Sequence, residues 1–364
     1  MRDPLSRLEP RGATHHREHH RGRRRAYPRG VGEQTGSTGT IRVAALIDGR
    51  VEEWADGAAL EAMGPDGPAD PRAAKATVWI DLTDPDPALV ARVGERIGLH
   101  PLIAEDIVEG NQRGKIEVTD GIVHLVLFVL EAGDRMGVLE VDLVLGDGFL
   151  LSSHGGGWDP RKTHHLRGDL ESILRSGPDH ALWAIVDGVV DGYFPFADQL
   201  EEVIDDLQDQ VVAATDRAVL ERLFTLKRDL IHVRRAVSPI REVLNQLTNR
   251  DLALIDPEEI LYFRDIYDHV IRLTDELDTD RELVAATVEI YLSTINNNLS
   301  TIMKRLTGVT VVLAGIGAIA GIFGMSEAGA AFKGGEAVGF WLVTGTMVAL
   351  AVASLAVLRR IDWI

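Results

Sequence analysis

The chain has 364 residues, 45% of them hydrophobic, which is enough for two ordinary domains with sizeable cores. It contains no cysteine, so disulfide frameworks, thiolate metal sites and cysteine nucleophiles are excluded. The formal net charge of −18 argues against nucleic acid as a partner, whereas an acidic surface can concentrate cations.

Residues 1–40 run against that charge, with nine arginines, four acids and the stretch "HHREHHRGRRR". Large apolar residues are almost absent there, so a disordered basic tail is expected. His15, His16, His19 and His20 read as part of a solvated tail rather than a metal site. No apolar core follows the arginines, as a secretory signal would require.

From 41 to 160 the pattern is mixed. "IRVAALI", "TVWIDL", "KIEVTDGIVHLVLFVLE" and "VLEVDLVLGDGFLLSSH" read as strands separated by turn residues, and "DPALVARVGERIGLH" has helical spacing. The expectation is a cytosolic α/β domain. From 161 to 305 the sequence is nearly all helical and forms a predicted stalk. "DPEE" at 256–259 signals a helix start, and no proline occurs from Glu258 to Phe323. One very long helix is therefore predicted to run from cytosol into membrane. The run "DQLEEVIDDLQDQ" at 198–210 reads as a solvated helix face, with a negative field near a cation path as the alternative.

Two apolar runs close the chain, at 306–326 and 337–358, each free of charge over about 21 residues. A helix of that length crosses a hydrocarbon core of ~30 Å. Lys304–Arg305 and Arg359–Arg360 fence the open ends, while the loop at 327–336 holds Glu327, Lys333 and Glu336. Positive residues stay inside, so both termini are expected in the cytoplasm, the basic 359–364 end included, and the loop outside. The first span carries a stripe of small or weakly polar residues: Met303, Thr307, Thr310, Ala314, Gly317, Gly321 and Gly324. Leu306, Val309, Leu313, Ile316, Ala320 and Phe323 cover another flank. The stripe fits close helix packing, including a G-x-x-x-G, or the lining of a pore shared by several chains. Spacing leaves both readings open. No phosphate-cradling glycine loop is present, so no enzyme is expected.

Several segments together resemble the CorA family of divalent-cation channels. They are "WIDL" at 79, "IGLHPLIAEDIVEGNQRGKIEV" at 97–118, "LVLGDGFLLSSHG" at 143–155 and "KRDLIHVRRAVSPIREVLNQL" at 227–247. "YFRDIYDHVIRLTDELDTDRELV" at 262–284, "NNNLSTIMKRLT" and "AGIFGM" extend the likeness to the end of the chain. The resemblance implies an α+β membrane protein: an N-terminal cytosolic α/β domain, long stalk helices, two C-terminal transmembrane helices, and a funnel-shaped homopentamer in the lipid bilayer of the plasma membrane. It implies passage of hydrated Mg²⁺, with Co²⁺, Ni²⁺ or Zn²⁺ as related cargo. It also favours the pore reading of the stripe, with Ser300, Met303, Leu306, Thr310, Ala314, Gly317 and Gly321 lining the path.

The resemblance further implies a regulatory site in which carboxylates of adjoining subunits share a cation, Mg²⁺ in the first instance. The matching positions are Asp106 and Asp265, with Glu105 and His269 beside them. Gly324, Met325, Ser326 and Glu327 match the pore entrance, but the family's Gly-Met-Asn signature reads Gly-Met-Ser here. Ser300 likewise stands in place of an asparagine, and Gly315 in place of a proline. A serine hydroxyl reaches less far than an amide, and Glu327 could add a ring of carboxylates. Altered selectivity, a Zn²⁺ transporter resembling the ZntB branch, and a non-conducting metal sensor or scaffold follow as alternatives to a plain Mg²⁺ channel.

Overall fold

The computed structural model describes residues 39–73, 76–119, 121–131, 137–213, 216–250, 252–324 and 336–360. Residues 1–38 of the expected tail, Met325, Ser326 and Glu327, most of the expected 327–336 loop, and the last four residues lie outside them.

The strands β1 (Thr40–Ile47), β2 (Arg50–Ala55), β3 (Thr77–Thr83), β4 (Lys115–Thr119), β5 (Ile122–Glu131), β6 (Gly137–Gly146) and β7 (Phe149–His154) form one sheet, ordered β2-β1-β3-β7-β6-β5-β4. Only the central β3–β7 pair is parallel; every other neighbour runs antiparallel. The hairpin β1–β2 turns on Asp48 and Gly49, at φ 48° and 81°. An Asp-Gly pair suits a turn that needs positive φ at both central residues. β2 was not anticipated: "RVEEWA" is largely exposed, so it lacks the apolar run that marks the inner strands.

Both faces of the sheet are covered, and the side-chain period of two sorts its residues. Val43, Ala45, Val78, Ile80, Val144 and Leu151 face α1 (Asp56–Ala62), α2 (Pro87–Ile97) and α3 (Pro101–Glu109). Ala44, Trp79, Leu125, Leu127, Leu143 and Leu150 face the opposite way, into a core shared with α4 (Leu170–Ser176), α5 (Pro178–Asp191), α6 (Phe194–Ala213), α7 (Arg217–Asn249) and α8 (Glu259–Gly324). α2 has clear ends: the Asp86 carboxylate accepts from Leu89 N at 2.7 Å, proline occupies its first turn, and Gly98 terminates it in the left-handed region. The last helix is α9 (Glu336–Arg360).

Helices α7 and α8 meet along a heptad seam. On α7 the buried residues are Val219, Leu223, Leu226, Leu230, Val233, Val237, Ile240, Leu244 and Leu247, in alternating steps of four and three. On α8 they are Phe263, Ile266, Val270, Leu273, Leu277, Val284 and Tyr291. Such spacing keeps one apolar stripe facing its partner over the full length of the pair. Arg234 clasps Asp278 across the seam through two hydrogen bonds, at 2.5 and 3.1 Å.

A buried polar network pins the central strands. Trp79 Nε1 donates to Ser152 Oγ at 2.9 Å, and that hydroxyl donates to Asp81 Oδ1 at 2.7 Å. His154 Nε2 lies 3.1 Å from the same oxygen, and its Nδ1 lies 2.9 Å from the Gly155 carbonyl. Both partners only accept, so the ring carries two hydrogens and is an imidazolium. Arg42 supplies a second cation, 3.1 Å from Asp81 Oδ2. Burial opposes charge on both groups, but the mutual hydrogen bond and attraction outweigh it. The Asp81 carboxyl is held below its ordinary value and the His154 ring above it.

Signs follow from those directions. The Asp81 contribution is present above the unfolded carboxyl value and is lost as pH falls through the depressed folded value. The His154 contribution is present below the unfolded imidazole value and is lost as pH rises through the raised one. The network is therefore strongest between about pH 4 and about pH 6.5. Asp81→Ala removes the buried partner of the His154 ring and one of the two carboxylates that Arg42 meets, and is expected to cost about 3–5 kcal/mol in that window. Thermal unfolding of the full chain across pH, followed by circular dichroism, checks this. A melting profile that matches the unaltered protein at every pH would remove the role given to the network.

Candidate functional site

The dominant feature is α8. Its 66 residues, at a rise of about 1.5 Å each, make a rod on the order of 100 Å long. Its first half buries the heptad seam. Beyond Tyr291 that seam ends, and the large apolar side chains lie open: Leu299, Ile302, Met303, Leu306, Val309, Val311, Leu313 and Ile322 are each at least 44% exposed. Leaving one such side chain in water forgoes roughly 1.5–3 kcal/mol. This segment therefore requires apolar surroundings beyond its own chain. Among the described residues, α8 is the one helix long and apolar enough to cross a membrane.

The faces of this segment differ. α8 contacts α9, and its covered residues Gly308, Val312, Ile316 and Ile319 form one stripe. On α9 the covered stripe is Thr344, Met347, Ala351, Ser354 and Leu358. At 3.6 residues per turn, Met303, Thr310, Ala314, Gly317 and Gly321 fall on the side of α8 turned away from α9. All five are exposed, as are Ser300 and Leu306. A Cβ added at Gly315, Gly317 or Gly321 would meet nothing within 4 Å. Close packing on α9 thus does not explain the small stripe. The apolar flank read from sequence, Leu306, Val309, Leu313, Ile316, Ala320 and Phe323, shares Ile316 with the stripe that α9 covers. The Thr310 hydroxyl donates to the Leu306 carbonyl at 2.7 Å, which leaves its lone pairs outward.

Two groups of metal-ligand type sit on the body formed by the sheet and helices α1–α7 with the first half of α8. In the first, Asp106 of α3, Glu117 of β4 and His124 of β5 each place one ligand atom within 4.8 Å of the others. Glu117 and His124 are direct cross-strand partners. The Lys115 ammonium reaches Asp106 at 2.6 Å and Glu117 at 3.0 Å, and Gln112 donates to the other Asp106 oxygen at 2.9 Å. Behind them, His124 Nε2 lies 2.8 Å from Asp142 Oδ1, and Gln112 N donates to Glu140. Burial, then the neighbouring Asp142 charge, pushes the Glu140 carboxyl up to about 8. Glu105 lies exposed beside Asp106.

In the second group, Asp187 and Asp191 of α5 approach His269 of α8 to the same tolerance. Asp187 also binds His165 Nε2 at 2.7 Å, and Asp265 lies 3.8 Å from His269 Nε2. His269 Nδ1 is buried and has no hydrogen-bond partner among the described residues. That is the state of a nitrogen able to take a cation, so the residues fit a metal. Burial, then the Asp187 charge, raises the Asp191 carboxyl. The sequence-expected residues thus divide between the groups. Asp106 and Glu105 belong to a helix on one face of the sheet, Asp265 and His269 to a helix in the core on the other.

Asp187 and Asp191 were missed, although an i, i+4 pair of acids inside an apolar helix was a readable signal. Glu117 and His124 were missed too. Counting back from the Gly121 turn pairs Thr119 with Ile122 and Glu117 with His124, so the hairpin itself carries that signal. The acidic run of α6 is solvated as expected: Glu201, Glu202, Asp205, Asp206 and Asp209 are exposed. Its inner edge still acts on α8. Burial, then Glu276 and Glu201, pushes the Asp280 carboxyl up to about 6.

The family described as "CorA-like Mg2+ transporter protein" matches residues 74–360. Over 255 residues the chain is 31% identical to the cobalt/magnesium transport protein CorA of Thermotoga maritima, which covers 68% of this chain and 72% of that protein. It is 24% identical over 293 residues to the cobalt/magnesium transport protein CorA of Methanocaldococcus jannaschii, covering 79% and 91%. The fold is similar to the complete structure of the CorA magnesium transporter from Methanocaldococcus jannaschii, with a TM-score of 0.73 at 22% identity, over 89% of this chain and 99% of that one.

The Asp280 environment makes a stability prediction. With its folded value raised, the neutral acid's advantage is present below the unfolded carboxyl value and is lost as pH rises through about 6. Asp280→Asn should leave the melting temperature unchanged at pH 4 and raise it at pH 7.5. Equal melting temperatures at both pH values would show that the carboxylate is not strained.

Proposed function

This chain belongs to the CorA-like Mg²⁺ transporter family, and from that premise we propose that it carries divalent cations, Mg²⁺ and Co²⁺ among them, through a homopentameric channel in the plasma membrane. The observation that carries the reading is the exposed half of α8. Its apolar surface requires surroundings that one chain does not supply, and its small, weakly polar stripe faces away from α9. Five copies turned with that stripe inward and α9 outward satisfy both needs at once. Lys304–Arg305 and Arg359–Arg360 then lie on the cytosolic side, and the entrance comprises Gly324, Met325, Ser326 and Glu327.

The chemistry of the stripe suits a hydrated ion. Mg²⁺ gives up water reluctantly, and the waters of its shell present hydrogens outward. A path for it needs acceptors. Thr310 has committed its hydrogen to the helix backbone, so it offers lone pairs alone. Ser300 adds a hydroxyl, and Ala314, Gly317 and Gly321 leave room for the shell. Met303 and Leu306 form an apolar constriction toward the cytosol, where dewetting closes the path.

Regulation falls to the cytosolic carboxylates. Asp106 and Asp265 lie on elements of opposite sheet faces, so a cation held by both is one shared between neighbouring subunits. Glu105 and His269 flank it, and Asp187 and Asp191 extend the His269 side. Like charges facing each other across an interface repel unless a cation lies between them. Loss of internal Mg²⁺ then loosens the interface and releases the gate.

Flux into proteoliposomes tests this. Purified protein should admit Mg²⁺ and Co²⁺ above the rate of empty vesicles, and no flux of either ion would end the transporter reading. Ser326→Asn is expected to raise Mg²⁺ flux relative to Co²⁺. Asp106→Ala combined with Asp265→Ala should raise the internal Mg²⁺ that halves the flux by about tenfold, within the usual range of coupling between sites.

A further inference from the structure

The Asp106 group contains more than the regulatory reading uses. His124 is wholly enclosed, with a side-chain exposure of 0%. Its Nε2 faces the Asp142 carboxylate, and its Nδ1 has no hydrogen-bond partner among the described residues. An unmet polar atom in such a place is costly, so it calls for a reason. With Nε2–H donated to Asp142, Nδ1 holds a free lone pair. A carboxylate behind one nitrogen and a vacant lone pair on the other is how metal-ligating histidines are oriented.

The neighbouring groups are already arranged around a positive charge. The Lys115 ammonium bridges Asp106 and Glu117, at 2.6 and 3.0 Å. An ammonium is a tethered cation, and it stands between the carboxylates that a metal would need. We propose that Asp106, Glu117 and His124 of a single chain form a divalent-cation site whose resting occupant is the Lys115 ammonium. This deepens the regulatory reading given above and rests on it for the role of Asp106. Two carboxylates and one imidazole favour Co²⁺, Ni²⁺ or Zn²⁺ over Mg²⁺, which prefers oxygen alone. Lys115 thereby sets the threshold: a metal enters only by displacing it, and a metal so held withdraws Asp106 from any cation shared between subunits.

The test uses the full-length protein in detergent with Asp265→Ala and His269→Gln, so that the intersubunit site and the second imidazole group are disabled. Co²⁺ is the probe, read by its visible absorption, which reports imidazole ligation. Lys115→Met should tighten the Co²⁺ titration about tenfold, the change expected when one competing charge-assisted bond pair is removed. His124→Gln should abolish the part of the spectrum that Lys115→Met enhances. Because His124 is buried, Glu117→Gln serves beside it: this side chain is half exposed and its loss should weaken Co²⁺ binding while leaving the circular dichroism spectrum unchanged. An affinity that ignores Lys115→Met, or a spectrum that survives both ligand substitutions, overturns the proposal. Failure of the shared-cation reading has a separate signature: Asp265→Ala alone would leave the Mg²⁺ dependence of flux unaltered while the Co²⁺ results stand.

Discussion

One helix changes its surroundings halfway along, and the rest of the molecule depends on that change. The first half of α8 is sealed by α7 and α6 through apolar residues in steps of three and four. The second half keeps the same helical register but, apart from the narrow stripe that meets α9, leaves its large apolar side chains exposed among the described residues. No proline interrupts α8, so one helix runs unbroken from the packed half to the exposed half. The packed body and the exposed apolar segment thus share one continuous helix.

The body is built to hold that rod firmly. A sheet covered on both faces provides the platform, and its parallel centre is locked by Asp81, to which Ser152, His154 and Arg42 all bind. At the start of α8, Glu259 meets His180 at 3.0 Å, and Asp179 receives the Asp256 amide at 3.0 Å. These bonds tie α8 to α5. The same α5 carries Asp187 and Asp191 against His269, beside the junction that positions the long helix.

Charge organises the regions around these junctions. The acids of α6 spread into solvent, where repulsion is weak, yet Glu276 and Asp280 on the facing side of α8 are pressed into a less watery setting and hold protons more tightly. On the far face of the sheet, Asp106 and Glu117 would repel each other were Lys115 not between them. The molecule answers concentrated negative charge in three ways: hydration on α6, proton uptake at Asp280, and a fixed ammonium at Asp106. A divalent cation is a fourth answer available to the same carboxylates.

Much of this was legible from residues alone. The strands at 41–47, 77–82 and 115–154, the helical stretch after 160 and the uninterrupted run to Phe323 follow from local periodicity and from where proline and glycine stand. The solvated face of α6 is equally local. β2 escaped because an exposed edge strand lacks an apolar signature, and Asp187 with Asp191 because two acids in an apolar helix look alike whether or not a histidine faces them. What the sequence by itself determined is what depends on neighbours three, four or two residues away: element type, the apolar length of α8, the charge fences. Only the tertiary structure decided which side of α8 meets α9, that Lys115 occupies the Asp106 group, and that Asp106 and Asp265 stand on elements of opposite sheet faces. Those facts depend on strand order and helix crossing, and no spacing along one element encodes them.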